Sequence, residues 1–320
     1  MNSPRLNYAD AYKLLAMFGV IFAHLPPGGR FGAEAWAAVQ SVQELTGWCV
    51  LAFFAISGVL LRPSLERPIS VELPKRALRL LVPWLSFSLL YKGVVSALAV
   101  AGIIKNTQPM PDAGRDLIAW LLQPADPQLY FLLYLFAMQT LLLLLNRCWK
   151  MLPLLMGVLA LVFWLALVPS ERRDNLLYGP SLQLVPLYFA FLAFGLFCGT
   201  SLRRTTITCI VILPVAVLSA VVWAESLIAW QLVAPWALLL ALRLFEGRAF
   251  LQPLAYLGRF SGGVYVWHAP IVIALVSILC VALLGAGISA VLATVLFSFV
   301  CSAALGSWVN RTASLRWFHI

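Results

Sequence analysis

Asp10-Ala11-Tyr12-Lys13-Leu14-Leu15-Ala16-Met17-Phe18-Gly19-Val20-Ile21-Phe22-Ala23-His24 is an apolar run with a carboxylate and an ammonium at its start and an imidazole at its end. Lys13 and His24 are 11 positions apart. On an α-helix that separation rises roughly 16 Å and turns about 1100°, so both side chains lie on nearly the same face. A cation at one membrane surface and an imidazole toward the other, aligned on one helix, mark a site rather than an anchor. An ionisable residue inside a membrane span is a functional-site hypothesis by default.

The composition makes the membrane reading. Apolar residues form 62% of the 320-residue chain and charged residues 11%, where a soluble domain has about a quarter charged. The apolar residues fall into blocks of about the length that crosses ~30 Å of hydrocarbon. Ten are read: roughly 11–26, 44–61, 80–104, 128–145, 150–169, 182–199, 207–224, 227–243, 254–282 and 287–309. The expectation is an all-α integral membrane protein, a bundle of about ten transmembrane helices forming one membrane-embedded domain over residues 1–320. The first block reads as a retained span rather than a cleaved leader, because Asp10 and Lys13 crowd the start of its apolar core.

With ten spans both termini share a side. Sixteen of the 22 Lys and Arg residues fall there, five fall on the other side, and Lys92 lies within a span. The acids run the opposite way, four against eight. Cationic loops stay cytoplasmic, so both termini are expected in the cytoplasm. The net charge of +10 is then mostly this bias. It is not the footprint of nucleic-acid binding, since no basic soluble domain is present to carry one. The longest connections are about 26–43 and 105–127 outside and 62–79 inside. The segment 105–127, rich in Pro and Asp, reads as an outer loop or re-entrant cap. The six cysteines show no CxxC or Cys/His spacing and read as small packing residues, not as metal ligands or disulfides.

Four further stretches carry chemistry or packing. Phe53-Phe54-Ala55-Ile56-Ser57-Gly58 reads as a close helix crossing. In the stretch 75–84, Arg76 and Arg79 stand at i and i+3 and share a helix face; two guanidiniums there can grip phosphate bidentately, or simply meet lipid headgroups. Lys92 needs a partner or a wet cavity, and Glu44 and Glu225 are candidates by their outer location. In the stretch 257–270, Arg259 precedes His268 by nine residues, and Pro270 frees a backbone carbonyl and kinks the helix. His319 reads as an interfacial residue of the tail.

Five stretches, in order, resemble the acyltransferase-3 family of bacterial membrane acyl-CoA:carbohydrate O-acyltransferases. They are Lys13 to His24; Phe-Phe-x-Ile-Ser-Gly at 53–58; Arg76, Arg79 and Pro83; Tyr188-Phe189 with Gly195; and Gly-Arg-x-Ser with Tyr-x-x-Trp-His at 258–268. The resemblance runs from about residue 8 to about 305. It implies transfer of an acyl group, commonly acetyl, from cytoplasmic acyl-CoA to a hydroxyl of an extracytoplasmic carbohydrate or glycolipid, in the bacterial inner membrane. It implies His24 as general base, Lys13, Arg76 and Arg79 beside the donor's phosphates, and Asp10, Lys92, Arg259 and His268 in support. Acyl-CoA enters as a co-substrate, with no bound cofactor or metal. Two departures stand out: a lysine at position 13 where the family more often has arginine, and Gln139 and Tyr134 where many members have a glutamate. The rival reading is a polytopic transporter of a sugar-linked or acidic solute, with Lys92, His24 and His268 on its path. The sequence carries no signal for oligomeric state.

Overall fold

The computed structural model describes residues 6–26, 29–100, 129–167, 182–223 and 226–312. Among these, 89% are helical and none lies in a strand. The helices are α1 (Asn7–Ala23), α2 (Ala33–Thr46), α3 (Trp48–Leu61), α4 (Ile69–Val100), α5 (Tyr130–Cys148), α6 (Leu152–Leu167), α7 (Val185–Cys198), α8 (Leu202–Trp223), α9 (Ser226–Leu244), α10 (Leu251–Gly258), α11 (Ser261–Trp267), α12 (Ile273–Leu284) and α13 (Ile288–Arg311). A 3₁₀ turn, Arg62–Glu66, follows α3, and a π-helical segment, His268–Val272, joins α11 to α12.

Among the described residues, seven stretches of helix are long and apolar enough to cross a membrane: Ala33–Glu66, Ile69–Ala97, Tyr130–Cys148, Leu202–Val221, Leu227–Leu244, Ser261–Leu284 and Ile288–Arg311. The remaining apolar blocks form α1, α6 and α7, of 17, 16 and 14 residues, shorter than the ~20 that spans hydrocarbon. The outward faces of α6, α8 and α13 are lined with half-exposed Leu, Ile, Val and Phe. In water such faces would aggregate; in a bilayer they meet lipid. The chain is thus a multi-pass membrane protein.

Two connections differ from the sequence expectation. The stretch read as an outer connection, 26–43, contains most of α2. The inner connection, 62–79, is largely consumed by the 3₁₀ turn and by the start of α4, which begins at Ile69. The polar side chains of both stretches masked helices that tertiary packing stabilises. The segment 105–127, Glu225 and His319 lie outside the described residues.

α3 and α7 form the centre. Most residues of both are buried, and they pack on each other, with α1 and α9 also against α3 and α6 against α7. The crossing is so close that a Cβ at Gly58 would overlap the Leu192 carbonyl, and one at Gly195 would overlap that of Ala55. Small residues at such a point are what lets helices associate without a hydrophobic drive. Phe54 stacks on Tyr188 at 4.6 Å beside it. The stretches 53–58 and 188–195 are therefore the two sides of one helix crossing. A second close approach seats α10 on α1, where a Cβ at Gly258 would overlap the Asp10 backbone carbonyl.

Candidate active site

A cleft of about 460 Å³ gathers Lys13 of α1, Arg76 and Arg79 of α4, and Arg259 at the end of α10. With Arg67 and Lys75 beside them they make six cations on one mouth, drawn from up to 246 residues of chain (13 to 259). They are not equivalent. Arg76 is engaged through both terminal nitrogens: its Nη1 donates to Gln139 Oε1 at 2.5 Å and its Nη2 to Ser64 Oγ at 2.7 Å and Glu72 Oε2 at 3.3 Å. Glu72 also accepts from Arg67 at 3.0 Å. Lys13 pairs with Asp10 at 2.6 Å. Arg79 is exposed and has no ion-pair partner among the described residues. Arg259 lies over the Tyr256 ring at 5.7 Å. Arg76 thus holds the wall of the cleft, and Arg79 offers a fork to an incoming anion.

Removing these two arginines should have different consequences. Arg79→Ala should weaken binding of a polyanionic donor about tenfold, roughly 1.4 kcal/mol, at an unchanged unfolding temperature. Arg76→Ala should weaken it too, and should also destabilise the fold, because it strips Glu72, 4% exposed, of a charge partner within a buried network. Binding titrations and thermal unfolding of the two purified variants check this; equal unfolding temperatures would contradict the assignment.

Inward from the cations the cleft is lined by Phe53, Phe131 and Tyr265. Their rings form a closed triangle with centroids 6.1, 5.4 and 6.4 Å apart. Beyond Tyr265 lies His268, at 6.3 Å between centroids. His268 in turn meets His24 edge to face, at 5.1 Å and 87°. The order from mouth to interior is cations, aromatic triangle, His268, His24.

Local structure fixes both imidazoles. His24 caps the C-terminus of α1, half-buried, with its Nδ1 2.8 Å from the Val20 carbonyl. A carbonyl oxygen only accepts, so Nδ1 carries the proton and donates, leaving the Nε2 lone pair free to accept. Gln43 of α2 donates to the Phe22 and Ala23 carbonyls at 3.1 and 3.4 Å, satisfying groups that a helix end leaves open. His268 is fully buried, with Nδ1 3.0 Å from the Val264 carbonyl and 2.9 Å from that of Tyr265. By the same argument its Nε2 is an acceptor; it is buried with no partner among the described residues. Pro270 has no N–H for the Val266 carbonyl, and the Tyr91 hydroxyl donates to that carbonyl instead. Ala269 is extended there, at φ −125° and ψ 155°. The break turns the chain so that His268 faces α1.

Lys92, 3% exposed, follows Tyr91 on the part of α4 fastened to α11. Glu44 is exposed on α2. Asp10 is buried beside Lys13. Sequence reading missed Ser64, Glu72 and Gln139 as the holders of Arg76, and Phe131 and Tyr265 as cleft lining. Glu72 was within reach of it, since Glu72 and Arg76 stand at i and i+4. All six cysteines are free thiols, and Cys49 sits where a Cβ on Gly19 would strike its sulfur, a packing role.

A known family, described as an acyltransferase domain, matches residues 6–306 of the chain. No curated protein and no solved structure matches it.

Proposed function

This chain belongs to the acyltransferase-3 family that spans it, and from that premise we propose that it moves a short acyl group, acetyl, from cytoplasmic acyl-CoA to a hydroxyl of an extracytoplasmic or lipid-linked carbohydrate. The setting is the bacterial inner membrane. In this reading α1, α6 and α7 complete ten crossings and both termini face the cytoplasm. The observation that carries it is the line from six cations past an aromatic triangle to a pair of imidazoles. Acyl-CoA has a pyrophosphate and a ribose phosphate at one end and a thioester at the other. Phosphates on Arg79, Lys13 and Arg259, beside the Arg76 wall, direct the thioester inward.

His24 acts as the base. Its free Nε2 takes the proton of the acceptor hydroxyl as that oxygen attacks the thioester carbonyl. The tetrahedral intermediate then collapses, the carbon–sulfur bond breaks, and the proton passes from His24 to the departing sulfur as coenzyme A thiol. His268, with its own free Nε2, steadies the charged ring. Lys92 or a helix-end amide supplies the counter-charge for the oxyanion. The acceptor comes from the far end of α1, where His24 is partly exposed, so one imidazole meets two substrates from opposite faces. Family membership favours this over a transporter, which would have no use for a thioester.

The aromatic triangle argues for a small acyl group. Phe131→Ala should widen it. Wild-type protein given acetyl-, butyryl- and octanoyl-CoA should release coenzyme A fastest from the acetyl donor. The variant should shift that preference toward the longer chains by about tenfold, the discrimination one or two methylenes give in a pocket. An unchanged chain-length profile would remove the triangle from the acyl path.

A further inference from the structure

A second recess lies at the same end of the bundle as the basic cleft, across the turn Arg62–Glu66. The turn is a shared wall. Ser64 reaches into the cleft and holds Arg76, whereas Arg62, Leu65 and Glu66 line the recess. The recess has a volume of about 340 Å³. Three cations converge on it from separate elements: Arg62 from the turn, Lys150 from the α5–α6 connection and Arg204 from the first turn of α8. Glu66 is the carboxylate among them. None of the three cations forms an ion pair among the described residues. The Arg204 guanidinium is steadied by the Phe197 carbonyl at 3.4 Å and the Phe197 ring at 5.6 Å. Three positive charges facing one negative, with no ion-pair partner among the described residues, form a site for an anion.

The recess is also half apolar. Leu154 of α6 and Leu196 and Phe197 of α7 line it. From its rim an apolar face continues through Met151, just before α6, and Leu155, Leu159, Val162 and Phe163 of α6, each 44–55% exposed. That face meets lipid tails, and Trp149, 56% exposed, sits where an indole marks the interface. A soluble anion would use the cations and leave the apolar side unused. An amphipathic anion would use both.

We infer that this recess binds the phosphate headgroup of an anionic phospholipid, with the lipid's acyl chains lying along α6. Basic pockets between membrane helices at the cytoplasmic side suit such headgroups. The site is separate from the six-cation cleft, and its occupant is not a substrate of the transfer reaction.

The test uses the full chain in mixed micelles of phosphatidylglycerol or phosphatidylcholine, with retained lipid counted by native mass spectrometry. The parent should retain phosphatidylglycerol in preference to phosphatidylcholine. Arg62→Gln, Lys150→Gln and Arg204→Gln should each weaken that retention about fivefold, and the triple variant about a hundredfold, at roughly one such increment per cation near the surface. Arg248→Gln, an exposed cation of the α9–α10 connection outside the recess, should change it less than twofold. Thermal unfolding in phosphatidylcholine confirms that each variant is folded; should the triple variant unfold, the single variants decide. Undiminished retention in the recess variants overturns the inference. So does an equal loss in Arg248→Gln, which would reduce the effect to general surface charge. Binding of inorganic phosphate alone that competes fully with the lipid would assign the recess to a soluble anion and overturn it as well.

Discussion

Replacing His24 with alanine lowers the rate of acyl transfer by about 10²–10⁴-fold, the range a positioned general base contributes, and leaves acyl-CoA affinity at the parental value. The separation of the two effects follows from the layout. The cations that grip the donor line the mouth of the cleft, and His24 lies at the other end of α1, behind the aromatic triangle and His268. Removing the ring does not unravel the helix end. The His24 backbone N–H still donates to the Val20 and Ile21 carbonyls, and Gln43 still caps the turn. A fall in kcat at constant donor Kd is therefore the signature of a base. A loss of donor affinity with kcat preserved would make His24 a structural residue and leave the proton without an acceptor.

The second large effect is structural. Gly58→Ala and Gly195→Ala each destabilise the protein by about 1–3 kcal/mol, as overpacking does in a well-filled interior. Each added methyl would collide with a backbone carbonyl, not with the end of a flexible side chain, so only separation of α3 from α7 can relieve it. Once one methyl has pushed the helices apart, the second meets less resistance. The double variant should therefore fall short of the sum of the singles. Thermal unfolding in detergent measures all three. Unfolding temperatures equal to the parent's would mean that α3 and α7 do not touch at these glycines.

What could be read from the chain alone followed from local rules. Apolar blocks mark helices because hydrocarbon accepts little else. Arg76 and Arg79 share a face because three residues make nearly a turn. The Phe-Phe-x-Ile-Ser-Gly stretch announced a tight crossing because glycine has no Cβ to obstruct one. What could not be read is the meeting of distant parts. His24 and His268 are 244 residues apart (24 to 268) and touch only because Pro270 and extended Ala269 break the helix that carries one of them. Gln139 finds Arg76 across 63 residues, with no spacing rule to link them. Helix α2 lay within a polar stretch that read as a connection; its partners are the end of α1, through Gln43, and α9, through Trp230 and Gln231. Each of these is a tertiary contact, and tertiary contacts leave no periodic trace in a single sequence.

Donor and acceptor reach one imidazole from opposite faces, and proteoliposomes of uniform orientation separate the two approaches. Acetyl-CoA labelled in the acetyl group is supplied only on the side of the basic cleft, and a panel of neutral oligosaccharides only on the other. The expected result is labelled O-acetyl ester in the oligosaccharide compartment, one coenzyme A released per ester in the donor compartment, and neither product with His24→Ala. Ester formation by the alanine variant at the parental rate, or coenzyme A and ester appearing only when both substrates share a compartment, would contradict it.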